Sequence, residues 1–194
     1  DLPIGTSVAS LSPIVGTGIL QQANSQAQPT IVDGGSYWPR AALRFQQQAL
    51  ISETSILPPV ASDYSLALVF RMLDADATGR HVCSHDGSLM SQGSGSKFLQ
   101  NYAGSKAVIH GSVSVGIAPH VWLISRTASG GLVSWLDSNK VSGDFPSRND
   151  SSVVLGSTLA GGVEIADAIV WNRVFTDTEA AAVQKALRSY WGLL

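Results

Sequence analysis

Apolar and polar positions alternate with a period of two along most of this chain, which predicts a succession of short strands. The alternation is cleanest from Tyr64 to Met72. Tyr64, Leu66, Leu68, Phe70 and Met72 share one face there, and Ser65, Ala67, Val69 and Arg71 share the other. Such a segment reads as a central strand with one face in a core. Further strands are expected at Leu43-Arg44-Phe45, at Ala49-Leu50-Ile51, from His81 to His85, from Lys97 to Tyr102, from Ala107 to Val115 and from Val153 to Ser157. Val121 to Arg126 and Leu132 to Asp137 flank Gly130-Gly131, a hairpin signal because glycine tolerates positive φ. Asp1 to Ser36 reads as loops around one or two short strands. Asp74 to Gly79 and the glycine- and serine-rich Ser91 to Ser96 read as loops.

The chain ends on a strand, a corner and a helix. From Gly161 to Trp171, Val163, Ile165, Ile169 and Trp171 are expected on one face and Glu164, Ala166 and Ala168 on the other. Thr176 followed by Glu179 is a capping box, with Phe175 placed as a hydrophobic staple before it. Val183, Leu187 and Trp191 then recur every four residues, with Ala180 and Tyr190 alongside, and Gly192 stops the helix. One apolar stripe means that the helix lies on a sheet.

Those same residues carry a family resemblance. The strand Gly-x-Val-x-Ile-x-Asp-Ala-x-Val-Trp-Asn-Arg, its Thr-x-x-Glu helix and the final Tyr-Trp-Gly resemble the end of laminin-G-like domains of the concanavalin A-like lectin/glucanase superfamily. Gln28-Pro29-Thr30 with Pro39 to Phe45 resembles the opening of that family, and Gly131 to Asp137 resembles its strand ending in Tyr-Val-Asp-Gly. The resemblance spans nearly the whole chain. It implies an all-β, two-sheet antiparallel jelly-roll sandwich with a short C-terminal helix, and a role in surface adhesion. Asp137 is followed by Ser138-Asn139 where the family has glycine, so a longer hairpin is expected there.

A length of 194 residues suits one domain, residues 1–194, with a core of its own. Only 13% of residues are charged and the net charge is −2, so nothing marks a nucleic-acid partner or an anionic membrane surface. No apolar run approaches the roughly 18 residues of a membrane span, so membrane insertion is not expected. The single cysteine, Cys83, excludes an internal disulfide and reads as a buried thiol in a strand. The chain opens at Asp1 with neither an initiator methionine nor a signal sequence, as expected of a processed product or an excised domain.

Glycoside hydrolysis needs two carboxylates flanking the scissile bond. Glu53, Glu164 and Glu179 are the only glutamates, and Glu164 and Asp167 are expected on opposite strand faces. No Gly-x-Ser-x-Gly elbow places a nucleophile, and Gly93-Ser94-Gly95 reads as a loop. Asp74, Asp76 and Asp144, with Asn149 and Asp150, offer loop oxygens of the kind calcium takes, although Asp-x-Asp in a turn is more often a solvated capping pair. His81 and His85 lack a third ligand at zinc spacing. A sugar presents an apolar ring face and a polar edge, so its site combines an aromatic platform with hydrogen-bonding groups. Trp135 is the candidate platform, with Tyr102, Asn101, Arg148, Asn149 and Asp150 as polar contacts. Trp135 covered by a loop or a neighbouring subunit is the alternative.

The expected function is therefore non-catalytic recognition of a glycan or surface polysaccharide, on a phage tail fibre or other virion appendage, or on a cell-surface adhesin. A virion surface or extracellular location goes with it. The rivals are a structural or homo-oligomerisation domain without a small ligand, and a polysaccharide hydrolase or lyase.

Overall fold

The computed structural model describes residues 3–12, 19–52, 56–74, 81–85, 88–92, 98–103, 106–114, 116–146 and 151–193. In chain order the strands are β1 (Ser10–Leu11), β2 (Leu20–Gln21), β3 (Thr30–Val32), β4 (Ala42–Ser52), β5 (Tyr64–Met72), β6 (His81–His85), β7 (Ser88–Gln92), β8 (Phe98–Ala103), β9 (Lys106–Ser114), β10 (His120–Arg126), β11 (Gly131–Leu136), β12 (Asn139–Asp144) and β13 (Val153–Trp171). One helix follows, α1 (Asp177–Tyr190). Every ladder between these strands is antiparallel, and together they form a two-layer β-sandwich.

Two long strands belong to both layers. The C-terminal part of β13 pairs with β5, whose other neighbour is β10, so the first layer runs β12-β11-β10-β5-β13. The N-terminal part of β13 pairs with β6, so the second layer runs β13-β6-β7-β8-β9. β4 accompanies β13 through both. The pair turns the corner where Gln47 takes φ 60 and the register jumps between Ser157 and Gly162. Leu43-Arg44-Phe45 and Ala49-Leu50-Ile51, expected as separate strands, are thus two halves of β4.

The core between the layers holds Phe45, Leu50, Tyr64, Leu66, Leu68, Phe70, Trp122, Ile124 and Leu136. It also takes Cys83, buried as expected, where burial pushes the thiol pKa well up. One face of β5 was expected in a core, and both are buried. Ala67 and Val69 join Val121, Leu123 and Trp135 in a second apolar cluster, roofed by Ala180, Leu187 and Trp191 of the helix region and by Trp38. All seven residues of β10 are consequently buried.

Within β13 a bulge at Ala166 lets Ile165 oppose Phe70 while Asp167 opposes Val69. One inserted residue inverts the alternation beyond it. Val163 and Ile165 point between the layers as expected, but Ile169 and Trp171 pack in the helix-covered cluster and Val170 takes the interior side. Glu164 and Asp167 therefore share the helix-covered side instead of lying on opposite faces. Asp167 accepts from the Trp191 indole at 3.3 Å. Glu164 is buried and accepts from Trp38 Nε1 at 3.0 Å, from Arg44 Nη2 at 2.6 Å and from Arg71 Nε at 2.5 Å. Burial raises the Glu164 pKa, and these three donors more than reverse that, holding it below the usual carboxylate value.

Helix α1 begins as its capping box predicts: Thr176 Oγ1 accepts from the Glu179 amide at 3.3 Å, and Glu179 Oε2 accepts from the Thr176 amide at 2.9 Å. Tyr190 departs from the expected stripe. It lies exposed beneath the Arg40 guanidinium, which stands 4.2 Å from its ring centroid.

Removing one partner of a buried ion network leaves the others uncompensated, which costs on the order of 3 kcal/mol. Glu164→Ala should lower the urea midpoint accordingly, against a loss of about 1 kcal/mol for Thr176→Ala at the helix cap. Urea melts of both variants with an unchanged slope check the ranking.

Candidate functional site

The chemistry of the surface gathers where α1 meets the turn between β11 and β12. Leu136 pairs with Asn139, so Asp137-Ser138 is a two-residue turn and not the longer hairpin expected. Asp137 adopts φ 49, a left-handed conformation that aspartate tolerates better than most residues. Its carboxylate ties three elements together. Oδ2 accepts from His120 Nδ1 at 2.6 Å, and Oδ1 accepts from the Val121 amide and from Arg188 Nη1, each at 3.0 Å. Arg188 also donates to the Leu193 carbonyl at 2.8 Å. Burial raises the Asp137 pKa, but the His120 hydrogen bond, the Val121 amide and the neighbouring positive charges outweigh it, and the pKa lies below its ordinary value.

Beside this knot is a cleft of about 390 Å³. Its floor is Trp135, and one rim is the turn with Lys140 of β12. The other rim is the face of α1 that carries Asp177, Ala181, Gln184, Lys185 and Arg188, residues spaced three and four apart. Gln184 Nε2 donates to the carbonyls of Val121 at 3.4 Å and Trp135 at 3.2 Å. The amide hydrogens are thereby committed, and the side-chain oxygen is the atom left for the cleft. Lys140 Nζ pairs with Asp177 at 2.7 Å. An apolar floor ringed by amide, ammonium, guanidinium and carboxylate groups suits a small polyhydroxylated ligand.

A larger groove, about 670 Å³, lies where the edge strands β9 and β12 approach without pairing. A methyl group at Gly143 would stand 2.6 Å from Val108 Cγ2, so the two edges touch there through a glycine. Its lining is strand edge, with Val108, Ile109 and Val141 and the single carboxylate of Asp144.

Between the layers the fold assembles a polar network around Ser134. Its Oγ lies 2.8 Å from Trp122 Nε1, 3.0 Å from Asn101 Nδ2 and 2.8 Å from His110 Nε2, and His110 Nδ1 lies 3.0 Å from Asn139 Oδ1. Burial holds the His110 pKa below its ordinary value, against the opposing pull of Asn139 and Asp137. The neutral ring donates from Nδ1 to Asn139, so Ser134 donates to Nε2 while accepting from the indole and the amide. The spacing copies a Ser-His-Asn relay. Ser134 and His110 are nonetheless fully buried, and both lone pairs of the serine are occupied, so the hydroxyl braces β8 to β12 and offers no nucleophile.

Among the described residues, those singled out from the sequence are dispersed by the fold. Trp135 does face away from the interior, but α1 covers it. At 5% exposure it is the base of a cleft and not an open platform. Asn101 is buried at the Ser134 hub, on the other side of the sheet from Trp135. Tyr102 lies in β8 opposite Ala107. Arg148, Asn149, Asp150 and Asp76 lie outside the described residues. Asp74 follows the C-terminal end of β5, whereas Asp144 pairs with Gly131 at the end of the layer where β5 begins. Nine residues of strand put them on the order of 25 Å apart, so they cannot share a calcium ion. Among the described residues no group of three or more His, Cys, Asp or Glu side chains is arranged to hold a metal.

No family model matches the chain, and no curated protein matches it in sequence. Solved structures match it in fold. The binding domain of Paraclostridial Mosquitocidal Protein 1 superposes with a TM-score of 0.67 at 13% identity over 96% of this chain and 55% of that one. The botulinum neurotoxin serotype D ligand-binding domain, solved in complex with N-acetylneuraminic acid, gives 0.66 at 10% identity over 96% and 53%. The botulinum neurotoxin type G receptor-binding domain gives 0.60 at 15% identity over 93% and 51%. The chain thus spans about half the length of these binding domains and shares their fold.

A carboxylate whose folded pKa is depressed contributes stability that is present above its unfolded value, about 3.9, and lost as pH falls through the folded value. Asp137 and Glu164 are both of this kind. The melting temperature should therefore fall as the pH drops below about 4. In Asp137→Asn it should start lower at pH 7 and fall less steeply, which thermal melts between pH 7 and pH 2 would read.

Proposed function

We propose that this chain is a non-catalytic recognition module that binds a glycan or surface polysaccharide in the cleft between α1 and the β11–β12 turn. The observation that carries the reading is the composition of that cleft. The little of Trp135 that α1 leaves open gives a sugar ring an apolar contact at the base, and the Gln184 oxygen, the Lys140 and Lys185 ammonium groups and the Asp137 and Asp177 carboxylates meet its hydroxyls. Support also comes from the shared fold with binding domains, one of them solved with a saccharide. The laminin-G-like resemblance of β13 and α1 points the same way. An exposed position on a virion appendage or a secreted adhesin is part of the proposal, since such a module acts where surface polysaccharide is met.

A second reading, a structural domain that joins subunits, is favoured by the unsealed edges of β9 and β12 and the exposed Ile109 between them.

Ala181 is exposed on the cleft rim, so Ala181→Trp should fill the cleft while leaving the fold intact. On a glycan array the wild-type chain should retain at least one saccharide class, and Ala181→Trp should weaken it about tenfold or more, as expected when a positioned contact set is lost. Absence of binding to every saccharide, with a stable oligomer in sedimentation, would favour the second reading.

A further inference from the structure

The cleft differs in charge from the chain that bears it. The whole sequence carries −2, whereas the cleft is lined by Lys140, Lys185 and Arg188 against Asp137 and Asp177, an excess of one positive charge. The pairing shows which cation is in excess. Lys140 is held by Asp177, and Arg188 by Asp137 and the Leu193 carbonyl. Lys185 stands two turns along α1 from Asp177, with the small Ala181 between them, and has no partner among the described residues.

We infer that Lys185 anchors a carboxylate, and that the ligand is an acidic saccharide whose sugar ring enters the cleft while its acid group meets this ammonium. The inference rests on the cleft being the glycan site. The two fixed aspartates narrow the class further. They accept hydrogen bonds from hydroxyl groups and repel additional negative charge, so a ligand with one carboxylate and several hydroxyls fits where a polyphosphate does not. A free volume of about 390 Å³ lies within the range of small-ligand sites and suits one or two sugar residues. Because Lys185 is exposed, its attraction is screened by salt, which distinguishes it from a buried pair.

The test is a titration of the isotope-labelled chain followed by NMR through the Trp135 indole and Gln184 side-chain amide signals. The probes are methyl galacturonide and sialyllactose, which carry one carboxylate each, each beside its carboxyl-reduced counterpart, at low and high sodium chloride. At least one acidic probe should move both signals and bind about tenfold or more tighter than its reduced form, as for a charge-assisted hydrogen bond. That preference should vanish in Lys185→Ala, return in Lys185→Arg and shrink at high salt. Acidic and reduced sugars binding alike, with both signals moving, would overturn the inference and leave the cleft as a neutral glycan site. No shift with any of the four probes would overturn the inference and count against the glycan reading as well.

Discussion

The central strands of the first layer, β5 and β10, are dry on both faces, and the rest of the structure answers to that constraint. A sheet with one solvated side needs only a facing sheet, but β5 and β10 carry apolar residues on both sides and need a second cover. Helix α1, Trp38 and Trp191 supply it. Polar groups caught beneath such a cover cost free energy unless they are paired. Glu164 is met by two guanidinium groups and an indole. Ser65 and Ser125, opposed on β5 and β10, bond to each other and to the backbone of Arg173 and Phe175, which fastens the approach to the helix.

The helix seat explains where the cleft lies. One flank of α1 faces the β11–β12 turn, and the cleft lies between them. Asp137 fixes the width of that cleft from below and Arg188 fixes it from above. Gln184 is spent on two strand carbonyls and cannot swing into the opening. Asp137, Gln184 and Arg188 are thus held by contacts made for folding, which is the preorganisation that a binding site requires.

How much of this was legible in the sequence depended on whether a rule acted locally. The period of two along β5, the glycine hairpin between β10 and β11 and the capping box of α1 are each decided by neighbouring residues, and each stands in the structure. The bulge at Ala166 has no such signature, and one unpaired residue was enough to exchange the faces of Ile169 and Trp171. β12, with its Asn-Lys-Val-Ser-Gly-Asp sequence, has too little apolar pattern to announce a strand, and Lys140 was missed with it. Trp135 lies on the outward side of β11, where a platform has to lie, but periodicity cannot tell an open face from one that a helix later in the chain will cover. Gln184, Lys185 and Arg188 read as an ordinary solvated flank until the turn beneath them is known.

The two strands that run through both layers have a consequence for how such a chain can change over time. Because β4 and β13 each lend one half to either layer, no cut in the sequence yields a piece holding one complete sheet. Neither layer can be lost, duplicated or exchanged with another gene on its own. What hangs from this shared spine, hairpins, edges and the surface beside the terminal helix, can change without dividing either layer.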